Sequence, residues 1–261
     1  MKQIIKKGSF LTLMFLLLGC LSLYAADNDL ITRQITLKLE KAGTLPARIG
    51  SSKRYKITNL KIIGEINGTD LRMIREMAGR NYRGNPTDGK LSVLDLSEAK
   101  IVEGGDSYYT DYDNNNYYTS NDVIGSRAFL NCSGLTSLTL PAGITWIGER
   151  AFYGCSGLTS IYVYAEKVPK IGGNVFEGVD AKKCTLYVPM GTYDDYLVSD
   201  FGYYFENIVE FEATGIDKTT TSTDVEEVVR YSVNGQRLSA PTKGLNIVKY
   251  SDGSVKKVAV R

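Results

Sequence analysis

Histidine is absent from this 261-residue chain. That absence removes Ser-His-Asp and Cys-His nucleophile pairs and every imidazole metal site. Neither GxxxxGK(S/T) nor GxSxG occurs, so the usual phosphate-cradling loop and nucleophile turn are missing too. Cysteine is scarce: of four in all, Cys20 lies in a leader-like segment, and the remaining Cys132, Cys155 and Cys184 are an odd set with no disulfide framework. Charge of one sign is lacking as well. Without the leader's Lys2, Lys6 and Lys7, 28 of the 31 basic residues face 29 acidic ones, which gives no reason to expect nucleic acid or an anionic membrane as partner. Two candidates for chemistry remain. Lys183 beside Cys184 would lower the thiol pKa, although a plain strand residue is the favoured reading. Asp194 and Asp195 are adjacent, so they diverge and read as a solvated cap. No enzyme activity is expected.

One long apolar run exists, Phe10 to Leu23, and at about 14 residues it is short of the roughly 20 that span a bilayer. The three lysines before it make residues 1–26 an export signal. Two processing readings stand. Leu17-Leu18-Gly19-Cys20 resembles a lipobox, which would put a lipid anchor on Cys20. Ala25 and Ala26 before Asp27 offer an ordinary cleavage site, favoured because the apolar run continues past Cys20.

What is present is a repeat. IGSRAFLNCSGLTSLTLPAGITW from Ile124 is followed by IGERAFYGCSGLTSIYVY from Ile147, 23 positions on. Ala128-Phe129 matches Ala151-Phe152, and Cys132 matches Cys155. A period of this size means stacked units that bury their faces against neighbours. The frame Leu135-x-x-Leu138-x-Leu140 is a leucine-rich-repeat signature. It recurs at Leu158, Ile161 and Val163, at Leu91, Leu94 and Leu96, and at Ile57, Leu60 and Ile62. A degenerate copy has Leu186 and Val188, with Lys183 in place of the first leucine. About five parallel strands follow from this, one per coil. Gly125 and Gly148 are assigned to tight turns, and Arg127-Ala128-Phe129 and Arg150-Ala151-Phe152 to single helical turns. Cys132 and Cys155 read as a buried ladder of free thiols.

The flanks differ. Ile35, Leu37 and Leu39 alternate as a capping strand. Thr44 is expected to cap a short helix ending at Gly50, and Asp70 to cap a second one whose apolar face is Leu71, Ile74 and Met77. Aromatic residues from Tyr193 to Phe211 read as a C-terminal cap over the last coil. KTTTSTD, Lys218 to Asp224, is a polar linker. Beyond it, Val228 to Val233, the turn Asn234-Gly235, Leu245 to Tyr250, the turn Asp252-Gly253 and Val255 to Val260 spell a small β module. The expected organisation is a leader at 1–26, an N-terminal cap with a divergent repeat at 27–90 and leucine-rich repeats at 91–190 with an insertion at 103–123. A cap at 191–212, a linker at 213–224 and a β module at 225–261 follow. The fold class is mainly β with short helices: a leucine-rich-repeat solenoid with one parallel sheet, plus a small C-terminal all-β module.

The period breaks in one place. Leu96 to Ile124 spans 28 positions where Leu140 to Ile147 spans 7, so about 21 residues leave one coil. They include Tyr108, Tyr109, Tyr112, Tyr117 and Tyr118 among Asp, Asn and Ser, a composition suited to protein or sugar surfaces. A soluble spacer is the competing reading. Asp111, Asp113, Asn115 and Asp122 stand at offsets 1, 3, 5 and 12 of a calcium loop, with Asn116 where glycine is expected and no flanking helices. Thr139, Tyr162 and Tyr164 on the strand face are the other binding candidates. No cofactor is expected apart from this calcium option.

IGERAFYGCSGLTSI, the TLYVP of Thr185 to Pro189, and LKIIGEINGTDLRMIREMAG with LSVLDLSEAKIVEGG resemble the BspA-like leucine-rich-repeat family of bacterial surface proteins, over Leu30 to Phe211. The resemblance implies an exported, surface-located binding protein, adhesin-like, with a protein or glycan partner. YSVNGQRLSAPTKGLNIVKYSDGSVKKVAVR resembles the C-terminal sorting domains of the type IX secretion route. That implies passage across a Gram-negative outer membrane to the surface or the medium. A structural envelope component without a soluble ligand is the second reading.

Overall fold

Leu60, Leu94, Leu138, Ile161 and Leu186, the central apolar residue of each expected coil, stand side by side in one parallel sheet and are all fully buried. The computed structural model describes residues 30–212, 227–232, 236–250 and 255–260. The leader with Cys20, the linker at 213–224 and the turns Asn234-Gly235 and Asp252-Gly253 lie outside the described residues. The chain divides into two compact units between Phe211 and Glu212.

The first unit begins with β1 (Ile35–Leu39), α1 (Leu45–Ile49), β2 (Asn59–Ile66) and α2 (Gly68–Met77). Next come β3 (Val93–Asp95), β4 (Ala99–Ile101), β5 (Gly104–Thr110), β6 (Asn116–Thr119) and β7 (Val123–Ile124). The rest is β8 (Ser137–Thr139), β9 (Trp146–Ile147), β10 (Ser160–Tyr162), β11 (Lys170–Ile171), β12 (Thr185–Pro189), α3 (Tyr193–Leu197), α4 (Asp200–Tyr204) and β13 (Asn207–Phe211). The main sheet runs β1-β2-β3-β8-β10-β12-β13, with β4 pairing β2. Two of these seven strands lie beyond the five expected coils. One is the capping strand β1. The other, β13, lies within the expected aromatic cap and pairs with β12.

The first position of each frame is followed by a hydroxyl residue, and these form their own ladder. Thr58 Oγ1 donates to Ile31 O, Ser92 Oγ to Thr58 O, Thr136 Oγ1 to Ser92 O and Thr159 Oγ1 to Thr136 O, at 3.1–3.3 Å. Each hydroxyl thereby ties its coil to the one before it. In the degenerate coil Lys183 turns out to pair with Asp180 at 3.0 Å, and Cys184 supplies the buried group instead.

The expectation of one parallel sheet is incomplete. β7, β9 and β11 form a second parallel ladder in which Ile124, Ile147 and Ile171 are in register and buried. Strands of two residues carry no alternation that a sequence pattern could reveal. The Ile171 coil also supplies a third aromatic: Phe129, Phe152 and Phe176 stack with centroids 5.4 Å apart in both pairs.

The segments after Arg127 and Arg150 are turns rather than helical turns. Arg127 and Arg150 have φ of 59° and 54°, and Asn174 in the next coil 55°, a left-handed backbone that a right-handed helix cannot contain. Nor do Gly125 and Gly148 serve turn geometry, for neither has positive φ. A Cβ on Gly125 would collide with Tyr108 Oη, and one on Gly148 with Ser126 N. Glycine is required there for close approach between chain segments.

At the N-terminal end, Thr44 does not cap α1: its Oγ1 donates to Lys41 O at 2.7 Å. Asp70 provides the cap from a distance, accepting from Leu45 N at 2.9 Å and from Gly43 N. Asp70 is also not the N-cap of α2. Asn67 holds that position, and Asp70 three residues on returns a bond to Asn67 N at 3.0 Å, closing a capping box. One buried carboxylate thus joins the starts of two helices. Leu71, Ile74 and Met77 face the core as expected.

The second unit is a four-stranded antiparallel sheet of β14 (Glu227–Ser232), β15 (Arg237–Leu238), β16 (Gly244–Tyr250) and β17 (Val255–Val260), in the order β15-β14-β16-β17. Asn246 is its buried polar pivot: Oδ1 accepts from Arg230 Nη1 and Thr242 N at 3.1 Å each, and Nδ2 donates to Thr242 O at 2.8 Å.

Candidate functional site

The insertion is not an open loop but a packed hairpin. β5 and β6 pair as an antiparallel hairpin, with Tyr109 opposite Tyr117 and Thr110 opposite Asn116. The hairpin lies on α2. Thr69 Oγ1 donates to Asp106 Oδ2 at 3.1 Å and accepts from Asp106 N at 2.9 Å. Gly68 admits the strand, since a Cβ there would strike Asp106 O.

This packing divides the five candidate tyrosines. Tyr108 and Tyr109 are only 1% and 4% exposed, so they are core residues and offer no contact surface, contrary to expectation. The Tyr108 hydroxyl donates to Ser126 O at 2.9 Å, and burial raises its pKa. Tyr117 is partly covered and donates to Asp111 Oδ2 at 3.1 Å. Tyr112 and Tyr118 are the outward pair, 97% and 55% exposed.

The calcium set is not assembled. Asp111 is spent inside the hairpin turn, where it accepts from Asp113 N, Asn115 N, Asn115 Nδ2 and Tyr117 Oη at 2.9–3.1 Å. It also meets Arg127 Nη1 at 3.5 Å. The Asn115 amide and these further donors hold its pKa below the usual carboxylate value. Asp122 belongs to the next turn, with its N–H on Ile101 O at 3.0 Å. Among the described residues no three acidic, cysteine or histidine side chains converge on one point. The spacing of oxygen-bearing residues is the spacing of an Asx-type turn that closes on itself.

The thiols offer no nucleophile. Cys132, Cys155 and Cys184 are free and buried, and Cys155 Sγ donates to Phe129 O at 3.1 Å. Lys183 does not activate Cys184. Burial, reinforced by Asp180, pushes that thiol up to about 12, leaving roughly one thiolate in ten thousand at pH 8. Iodoacetamide at pH 8 should therefore leave Cys184 unlabelled in the native chain and label it fully in denaturant. Rapid native labelling would contradict the burial.

The strand face gathers what the hairpin does not. One row of outward residues, in register, is Lys61, Asp95, Thr139, Tyr162, Tyr187 and Val209. It passes from charge to aromatics. Lys61 Nζ lies 2.7 Å from Glu98 Oε1 and 3.4 Å from Asp95 Oδ2, and the Glu98 bond leads the causes that raise its pKa. Tyr162 and Tyr187 stack with centroids 4.3 Å apart and 7° between planes. Phe211 meets Tyr162 and Tyr164 edge-on at 5.7 and 4.9 Å. Burial raises the pKa of Tyr162 and of Tyr164, so both phenols are neutral donors at physiological pH. The parallel row is small and polar: Ser137, Ser160, Thr185 and Asn207.

Thr139, Tyr162 and Tyr164 are thus brought together, while Tyr187 and Phe211 were missing from the sequence-derived set. Tyr187 follows Leu186 as Tyr162 follows Ile161, so the frame itself carried that signal. Phe211 had none, because β13 lacks the leucine frame.

Among the described residues no helix is long and apolar enough to cross a membrane. No curated protein matches the chain. Residues 108–201, from the hairpin into α4, match the family described as BspA type leucine rich repeat region, in six copies. The buried leucine row, the parallel sheet and this match make the fold of the first unit a leucine-rich-repeat solenoid, an architecture that points to a protein-binding role.

Proposed function

We propose that the chain is an exported, non-enzymatic cell-surface protein that binds a protein partner through its strand face, in an adhesin-like role. The observation that carries this reading is the stacked pair Tyr162 and Tyr187, flanked by Tyr164 and Phe211 and left partly exposed. Stiff aromatics with polar tips, backed by a rigid sheet, supply contact area at little entropic cost and are typical anchors of protein interfaces. Ser137, Ser160 and Thr185 add hydroxyls beside them. Export, an outer-membrane or extracellular location, and sorting by the last β module belong to the same proposal. They rest on the leader-like segment and on the resemblances of both units.

The test is titration of the full-length chain on a panel of immobilised extracellular-matrix proteins. Tyr162→Ala with Tyr187→Ala should weaken any partner found by about tenfold or more. Tyr112→Ala with Tyr118→Ala should leave it unchanged. The reverse pattern would move the site to the hairpin. Point substitutions are needed because deleting residues 104–122 would uncover α2.

A further inference from the structure

A concavity of about 410 Å³ opens between the tip of the hairpin and the outer turns of the repeats. Its walls come from different segments of the chain. Tyr109, Asp111, Tyr112 and Asp113 come from the hairpin, and Arg127, Leu130, Arg150 and Tyr153 rise from two successive coils, so two carboxylates and two guanidiniums line it. The volume suits a small ligand or a single unit of a polymer.

Its charges are not equivalent. Arg127 is committed, 3.5 Å from Asp111 and stacked at 4.9 Å over Tyr117. Arg150 has, among the described residues, no ring over it, and its one ion pair, from Nε to its own neighbour Glu149 Oε1, is 3.5 Å long, beyond hydrogen-bond range. Among the described residues its buried Nε has no hydrogen-bond partner. A guanidinium with an unused fork is a carboxylate receptor, because two parallel N–H groups match two carboxylate oxygens. The Asp113 carboxylate at the rim is exposed and can accept from hydroxyls.

The aromatic walls decide between ligands. Tyr112 is 97% exposed and Tyr153 37%, so both rings are available to stack. The carboxylate of a peptide side chain reaches Arg150 but carries no flat body to lay against Tyr112 or Tyr153. A six-membered sugar ring does, with its C–H face on an aromatic and its hydroxyls at the edge. We propose that this groove binds a saccharide residue bearing a carboxylate, a hexuronic acid unit, with the carboxylate on Arg150, the ring against Tyr112 and Tyr153, and hydroxyls on Asp113. The site is separate from the strand face and does not depend on the protein-binding reading.

The experiment is calorimetric titration of the full-length chain with three probes. They are a tetrasaccharide ending in glucuronic acid, the same tetrasaccharide with that carboxyl reduced to an alcohol, and a tetra-aspartate peptide. The acidic sugar should bind with submillimolar affinity and the reduced sugar about tenfold more weakly or not at all. Arg150→Lys should lose about tenfold for the acidic sugar, since the charge stays but the fork goes. Tyr112→Ser, at a position free of packing, should lose a similar factor. Equal binding of the two sugars, no binding of the acidic sugar, or peptide binding that Tyr112→Ser leaves unchanged would each overturn the proposal. The strand-face pair Tyr162→Ala with Tyr187→Ala should leave sugar binding unaltered.

Discussion

Replacing Arg75 with alanine should cost about 3 kcal/mol of stability and lower the melting temperature by roughly 6–12 °C. Arg75 on α2 is fully buried, yet its acceptors are backbone carbonyls. Nη1 donates to Arg127 O at 2.9 Å and Ala128 O at 2.6 Å, and the guanidinium lies 4.9 Å from the Tyr109 ring centroid. The side chain therefore connects three parts: the helix, the insertion hairpin, and the left-handed turn that opens the first clean repeat. Alanine takes the guanidinium donor from Ala128 O, leaves Arg127 O with only the Leu130 N–H at 3.2 Å, and opens a cavity beside Tyr109. Arg75→Met keeps the packing and should lose about 2 kcal/mol. Hydrogen exchange should quicken over residues 104–119 in both variants. A fall of less than about 2 °C in the alanine variant would mean that the guanidinium is not what holds the hairpin down.

Phe152→Ala should be costlier still, about 4 kcal/mol, with a melting temperature lower by roughly 8–16 °C. Phe152 is the middle ring of the Phe129–Phe152–Phe176 stack and is fully buried. Its loss removes side-chain burial and both ring contacts, each ring pair being worth about 0.5–1.5 kcal/mol beyond area. Because a coil contacts only its neighbours, the damage should spread along the stack rather than evenly. Exchange should rise in the coils around Phe129 and Phe176 and stay low around Leu60. Phe152→Leu should recover more than half of the stability. Tyr153→Ala, one residue on and 37% exposed, should change it by no more than about 0.5 kcal/mol. A uniform rise in exchange would show that the first unit unfolds as one body.

The leucine frame was legible because its physical basis is local. In a strand alternate side chains share a face, so Leu138 and Leu140 must point the same way, and a fixed period stacks them on Ile161 and Val163. The strand β13 was not legible, since Asn207 to Phe211 becomes a strand by pairing with β12. The candidate sites were half legible. Tyr162 and Tyr164 follow from the frame. Tyr108 and Tyr112 look alike in composition, and what separates them is a neighbour far along the chain: Ser126 and α2 cover one, nothing of the hairpin covers the other. The turn residues inverted expectation for a related reason. Glycine at positions 125 and 148 is demanded by the approach of another chain segment, and the left-handed conformation falls to Arg127 and Arg150 instead.

Periodicity alone determined which residues face inward, how the coils register and that the thiols at Cys132 and Cys155 are core. These are consequences of strand geometry repeated at a fixed interval. Tertiary structure decided which outward residues remain outward. Coverage depends on contacts between segments distant in sequence, such as Asp70 with Leu45, Arg75 with Ala128 and Thr69 with Asp106. A pattern read along the chain holds no information about such pairs. For this reason the aromatic strand face and the Arg150 groove emerge only once the insertion has folded back as a hairpin and β13 has closed the sheet.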